Sequence, residues 1–226
     1  MCGRFAQYSS RDEYFDALGL KPDEITYDPE PIGRYNVAPG TKVLLLNDRE
    51  DQLHLDPVFW GYGPEWWDKQ PLINARGETA ASGRMFKLLW HHGRAVVPAN
   101  GWFEWQKQEK GNQPFFIHHR DDRPLFFAAI GKQPYGEDHG KEGFVIVTAA
   151  SSQGMVDIHD RRPLVLSPDA VREWLSPETS PSRAEEIAHD AALPEKAFKW
   201  HPVSRKVGNI HHQGRELIEP VQEGQD

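Results

Sequence analysis

Arg94–Pro98 (RAVVP), Trp102–Gln106 (WFEWQ), Pro114–His118 (PFFIH), Leu125–Ile130 (LFFAAI) and Phe144–Thr148 (FVIVT) are consecutive runs rich in β-branched and aromatic residues. Each is bounded by Gly, Pro or charged residues, which is the signature of strands joined by turns rather than of helices. Strands this short and this closely spaced pair as neighbours, so the middle of the chain reads as a mostly antiparallel sheet. Outward from it, Lys42–Asn47 and Gln52–Trp60 flank the charged turn Asp48-Arg49-Glu50-Asp51 as a hairpin, and Leu72–Arg76 is a short strand.

Helices fill the flanks. Ser10 stands at an N-cap position with Glu13 at capping-box spacing and Gly19 as the stop, which predicts a short helix between them. Thr79–His92 reads as a helix weakened by Gly83, with Met85, Phe86, Leu88 and Leu89 inward. Pro168–Leu175 and Ser182–Ala192 read as two more small helices, separated from the sheet by the strand Leu164–Leu166, and Phe198–Val203 returns as a strand. Lys21–Gly40, with four prolines and two glycines, reads as an ordered loop. The fold expected is α+β, with a curved, barrel-like antiparallel core and short flanking helices. One domain is expected to span residues 1–226, its last few residues a disordered tail.

Composition narrows the function. The formal charge is -8 over 226 residues, split evenly as -4 in residues 1–168 (19 Lys+Arg, 23 Asp+Glu) and -4 in 169–226 (7 and 11). Neither part is a basic module, so extended duplex binding is excluded and any nucleic-acid contact must be local and built from a few arginines. Eight tryptophans supply stacking surfaces as well as core. Met1–Ser10 lacks the apolar run of a signal peptide, and no stretch approaches the ~18 apolar residues of a membrane span, which points to a cytoplasmic protein without lipid contact.

Cys2 is the only cysteine. If Met1 is removed, residue 2 carries an amine and a thiol two carbons apart, with reference pKa values of about 8 and about 8.5; lowered by Arg4 two residues away, both would be nucleophilic at neutral pH. Such a pair condenses with an aldehyde to an imine, which the thiolate closes to a five-membered thiazolidine. The other reading of a lone cysteine is a small buried hydrophobe. Position alone leaves both open.

On a strand, Glu104 shares a face with Trp102 and is flanked by Phe103 and Trp105, a setting that raises a carboxyl pKa and suits a general acid. A solvated Glu on an open sheet face is the plainer alternative. Asn74 and Arg76, two apart on a strand, present an amide and a guanidinium on one face. His159, between Asp157, Asp160, Arg161 and Arg162, suits a proton shuttle. The paired histidines His91-His92, His118-His119 and His211-His212 point to opposite sides when extended. With no second cysteine and no His-Glu motif, no metal is expected, and no Gly-rich phosphate loop is present; the expected cofactor complement is none.

Five motifs in order, MCGRF at the start, RYNVAPG (Arg34–Gly40), NARGET (Asn74–Thr79), GWFEW (Gly101–Trp105) and DIHDRRP (Asp157–Pro163), make the chain resemble the bacterial type of the SOS-response-associated peptidase (SRAP) family from Cys2 to about Pro220. The resemblance implies one SRAP domain that recognises abasic sites in single-stranded DNA and crosslinks to them through a thiazolidine at Cys2. It implies lyase-like imine chemistry and, in keeping with the family's name of peptidase (a hydrolase and protease by class), an autoproteolytic loss of Met1, with crosslinking rather than proteolysis of other proteins as the main activity. It also implies a monomer, at the nucleoid when bound to DNA.

Carried over by position, Cys2 is the nucleophile, Asn74 holds the opened sugar or the N-terminus, Glu104 assists ring opening and imine formation, and His159 positions the sugar hydroxyl and moves protons. Arg76, Arg84 and Arg161 take the place of the phosphate contacts, with Arg4 and Pro39 beside them in the cleft. Trp66 and Trp67 take the place of the wedge against the last base pair of a single-strand/duplex junction. The chain departs from the family pattern at Gly77, at Gly83 and at Asn100, which stands in place of an Asp. Two other classes compete: a glutamine amidotransferase, which also begins Met-Cys-Gly but whose downstream motifs are missing here, and a noncovalent single-strand binder in which Cys2 is incidental.

Overall fold

The computed structural model describes residues 1–21 and 28–224. In chain order its elements are β1 (Phe5–Gln7), α1 (Arg11–Ala17), β2 (Arg34–Val37), β3 (Lys42–Arg49), β4 (Gln52–Phe59), β5 (Asn74–Arg76), α2 (Lys87–His92), β6 (Arg94–Ala99), β7 (Gly101–Gln108) and β8 (Gly111–His119). β9 (Leu125–Gly131), β10 (Phe144–Ala150), β11 (Arg161–Pro163), α3 (Pro168–Leu175), α4 (Pro181–Asp190) and β12 (Phe198–Pro202) complete them. The class is α+β, with mostly antiparallel strands, as the alternation of strand and turn signals requires.

The strands form two sheets. One runs β12-β8-β7-β1-β2; the other runs β11-β10-β9-β6-β3-β4, with β5 added in parallel alongside β10. Between them lies a core of large side chains: Phe5, Trp102 and Phe198 from the first sheet meet Phe127, Phe144 and Val97 from the second. Phe5 sits 5.1 Å from the ring of Trp60 and edge-on to Phe127 at 5.9 Å, while Trp102 meets Phe127 edge-on at 6.0 Å. The outer face of the second sheet is covered by α2, α3 and α4, which contribute Leu89, Trp90, Val171, Trp174 and Ile187. Arg94 pins this layer. Its guanidinium is buried, has no carboxylate partner among the described residues, and donates to the carbonyls of Trp90, Trp174, Ser176 and Thr179, at and just beyond the C-terminal ends of α2 and α3, where helix dipoles favour a cation.

The structure departs from several of these expectations. The helix expected over Thr79–His92 is helical only from Lys87, because residues 77–86 form successive turns through Gly83. Leu88, expected inward, is 71% exposed, whereas Leu89 and Trp90 take the core positions. Within Lys21–Gly40, Arg34–Val37 is a strand, pairing with β1; residues 22–27 of that stretch lie outside the described residues. The hairpin turn tightens to Glu50-Asp51, both at positive φ. Of the expected disordered tail, Gln225 and Asp226 lie outside the described residues, but Val221 and Gly224 are tied by their N–H groups to Pro202 and Gln113.

What positions the site is the pairing of the N-terminal segment with β7. The register sets Phe5 opposite Trp102 and Ala6 opposite Gly101, and the bond from Phe103 N–H to Arg4 C=O (2.9 Å) prolongs the ladder toward Cys2. Gly101 is needed there because a Cβ would lie 2.4 Å from the Phe116 ring and 2.6 Å from Ile117 O. Asn100 fastens the other end of the segment. Its Oδ1 accepts from the N–H groups of Tyr8 (2.9 Å) and Ser9 (3.2 Å) and from the Tyr14 hydroxyl (2.5 Å), and its Nδ2 donates to Ser9 Oγ.

A carboxylate could accept the same three donors, so Asn100→Asp should hold stability within about 1 kcal/mol, while Asn100→Leu, leaving buried donors unmet, should lose about 3 kcal/mol. Urea denaturation of the two variants checks this; equal losses in both would remove the acceptor role.

Candidate active site

Four side chains converge where the two sheets meet at the N-terminus. Cys2 is fully buried at the end of the inter-sheet core. Asn74, at the head of β5, donates from Nδ2 to the Cys2 carbonyl at 3.1 Å. Glu104 projects from β7, 3% exposed, and its Oε1 lies 3.4 Å from the Met1 amine. His159 arrives from the β10–β11 connection, its ring nitrogens 2.6 and 2.9 Å from the same amine. An amine at the chain start thus rests between a buried carboxyl and an imidazole.

The electrostatics follow from burial. Desolvation raises the Glu104 pKa to about 8 against the pull of the ammonium, and Asp160 adds to the rise. The neighbours of Glu104 on the strand, Trp102 and Phe103, are each fully inaccessible, so this part of β7 lies inside the fold. Burial, then the ammonium, lowers His159, opposed by Asp160 and by the Arg161 carbonyl 3.2 Å from Nδ1; the Arg161 backbone N–H lies 3.0 Å from the same nitrogen. Two acceptors, Glu104 Oε1 and Asn74 Oδ1, are buried without a hydrogen bond apart from the long contact of Glu104 to the amine. They offer sites for hydroxyl or amine donors.

The Cys2 thiol behaves differently from expectation. Burial pushes it well up, Glu104 pushes it further, and the ammonium and the Arg4 backbone N–H only partly offset this. The Arg4 guanidinium is turned away, donating to Asn36 Oδ1 (3.0 Å) and Val207 O (2.6 Å) and lying 5.7 Å from the Trp105 ring. With Met1 in place the sulfur is a neutral thiol.

The remaining sequence candidates fall into two groups. Arg161 is adjacent to His159, but its fork is taken: it pairs with both Glu78 oxygens (3.1 and 3.0 Å) and donates to Thr148 O and Oγ1. Neither Glu78 nor Thr148 was singled out from the sequence, although Glu78 lies within NARGET. Glu195 was also missed; buried, it accepts from the Ser152 N–H and hydroxyl and so fastens the start of the His159 connection. Nothing local in the sequence signals that role. Arg76 is exposed at the end of β5, and Pro39 is half-buried just after β2. Trp66, 58% exposed, carries Arg84 over its ring at 5.1 Å and meets Trp67 edge-on, forming a separate surface patch.

Among the described residues no cluster of His, Cys, Asp and Glu could hold a metal, and no helix is long and apolar enough to cross a membrane. Residues 1–210 match the model of the family described as SOS response associated peptidase (SRAP). The chain is 62% identical to the abasic site processing protein YedK of Escherichia coli, over 98% of this chain and 100% of that one, and 29% identical to the abasic site processing protein YoaM of Bacillus subtilis, over 97% and 98%. A crystal structure of a phage-related protein from Bordetella bronchiseptica superposes with a TM-score of 0.78 at 38% identity, covering 90% of this chain and 95% of that one.

Glu104 should make stability pH-dependent in a set direction. Its folded pKa lies above the unfolded value of about 4.3, so between about pH 4 and pH 8 the native state holds a proton that the unfolded chain releases, and stability falls as pH rises. Glu104→Gln lacks this linkage. Its stability relative to the parent should grow by a few kcal/mol from pH 4.5 to pH 8, measured by denaturant titration across pH; a constant difference would place the carboxyl pKa near its ordinary value.

Proposed function

The chain belongs to the SOS response associated peptidase family, and on that footing we propose that it acts on abasic sites in single-stranded DNA as a monomer, joining the opened sugar covalently to Cys2. The supporting observation is the convergence on the chain start of one buried carboxyl, one imidazole and one amide. This is the set needed to open a hemiacetal and condense its aldehyde with an amine. The relatives' printed description as abasic site processing proteins points to the same substrate.

In the proposed sequence the reactive chain begins at Cys2, after loss of Met1. The new α-amine takes up a place beside Glu104 and His159. Glu104, protonated near neutrality, donates to the ring oxygen of the closed sugar and releases the C1′ aldehyde. The amine adds to C1′, and the hydroxyl departs as water with a proton from the acid, leaving an imine. The thiol then adds to the imine carbon: a C–S bond forms, the C=N π bond becomes the N–H of the thiazolidine, and no DNA bond breaks. Closure also removes the imine that would acidify C2′ and permit strand cleavage by β-elimination. His159, its Nδ1 held by Arg161, serves closure and reversal.

Arg76, exposed and unpaired among the described residues, supplies a phosphate contact. Arg161 supplies another only by exchanging Glu78 for phosphate. Arg4 shapes the cleft through Asn36 rather than touching DNA, and Pro39 lines its edge. Trp66 and Trp67 form the wedge against a duplex end.

Mixing the protein with an abasic oligonucleotide should give, by mass spectrometry, an adduct one water lighter than the sum of the parts. Retaining Met1, or Cys2→Ala, should abolish the stable adduct, the latter leaving an imine that borohydride traps. Ammonia release from glutamine in place of the adduct would overturn the assignment in favour of an amidotransferase. Glu104→Gln should slow adduct formation by about 10²–10⁴-fold, as general acids do, while His159→Gln slows release more than formation. Single-turnover rates in both directions test that division; a parent-like formation rate in Glu104→Gln would return the carboxyl to a structural role.

A further inference from the structure

The proposed chemistry uses one cleft, yet two of the most exposed large hydrophobic side chains lie elsewhere, on either side of Arg84: Trp66 at 58% and Leu88 at 71%. Arg84 covers the ring of Trp66 at 5.1 Å. Beyond it the turn closed by Lys87 N–H to Gly83 O leads into α2, where Leu89 and Trp90 are buried and Lys87 and Leu88 face solvent. Lys87, Leu88 and His91 therefore stand at i, i+1 and i+4 on α2, with Arg84 on the turn that leads into it. The Lys87 side chain has no partner among the described residues.

The charge of this stretch is opposite to that of the molecule. From Arg76 to His92 the chain carries three cationic side chains, Arg76, Arg84 and Lys87, and one carboxylate, Glu78, already bound by Arg161, whereas the whole chain is at -8. The Trp66 loop itself carries Glu65 and Asp68 against one cation, Lys69, which lies 5.5 Å from the Trp67 ring, so the more cationic face lies on the α2 side of the wedge. Arg84 and Lys87 at the entry to α2 suit a polyanion, and the exposed leucine beside them suits sugar and groove edges of a helix.

We propose that the Arg84–Lys87–Leu88–His91 stripe is the seat of the double-helical arm of the DNA, one strand of which passes from the Trp66 wedge along α2. This rests on the reading of the protein as a DNA-acting member of its family. It adds a second footprint: the cleft takes the unpaired nucleotide, and the stripe takes the paired strand. Preference for a junction over a plain single strand then comes from electrostatic contacts on α2 as well as from stacking on Trp66.

The test is equilibrium binding, at several salt concentrations, of the parent, Lys87→Glu and Leu88→Glu to two DNAs, a plain single strand and a single-strand/duplex junction, neither containing an abasic site. Both positions are exposed, so both variants should keep the parent's thermal midpoint. On the junction, Lys87→Glu should flatten the slope of log K against log salt by about 0.9 per lost phosphate contact, and both variants should reduce the parent's preference for junction over single strand, the remainder coming from stacking on Trp66. On the single strand, affinity and slope should match the parent. Equal losses on both DNAs, or parent-like junction binding, would overturn the seat on α2. Adduct formation by the parent with abasic DNA, run alongside, reports on the underlying reading separately: an intact adduct with unchanged junction slopes sinks only the seat, whereas a parent that neither binds nor couples to DNA sinks both.

Discussion

The antiparallel pairing of the first residues with the strand that begins Gly101-Trp102-Phe103-Glu104 is the constraint on which the rest of the structure depends. A chain terminus is ordinarily frayed and solvated. Here Phe5 is buried between two sheets, Asn100 collects the N–H groups of Tyr8 and Ser9, and the backbone at Arg4 joins the β7 ladder. The terminus is thereby delivered to a dry site, and the same strand delivers Glu104 to meet it. Losing the pairing would separate amine from acid even with every side chain intact.

That burial carries opposite consequences for its two principal groups. Raised by desolvation, Glu104 becomes an acid that still holds its proton near neutrality, at the cost of a buried ionisable group the fold would be more stable without. The same desolvation holds the Cys2 thiol in its neutral form while Met1 is present. A buried thiol next to a carboxyl is protected from oxidation and off-target alkylation, so its reactivity depends on what happens at the terminus.

The arginines divide by what they already bind. Arg94 is spent on four carbonyls, Arg4 on Asn36 and Val207, and Arg162 on Leu193 O with Glu195 at 3.8 Å. Arg161 is held by Glu78 and Thr148, with its backbone fixing His159. Arg76 and Arg84 alone among the six singled out here keep exposed heads, and they lie on the segment that leads from β5 into α2. In an acidic chain, a short footprint built from these two is consistent with the charge balance that excludes broad duplex binding.

The sequence by itself determined most of the strands and small helices and named the residues that meet at the chain start, because strand runs, the Ser10 capping box and a lone cysteine beside the initiator methionine are local signals. GWFEW suggested a raised carboxyl pKa but left a solvated Glu104 open; the packing of β7 between its neighbours decided for burial. Only the tertiary structure decided which groups are free. The bonds that turn Arg4 away from Cys2, lock Arg161 onto Glu78 and fasten the His159 connection through Glu195 join residues 32 to 203 positions apart, or 83 and 43 in the last two cases, which no local pattern records. The end of the helix expected at Thr79 was likewise a matter of packing: the turns through Gly83 leave Leu88 outside because Leu89 and Trp90 fill the space against the sheet. Local chemistry set what each residue can do; burial and long-range hydrogen bonds set which of them remain able to do it.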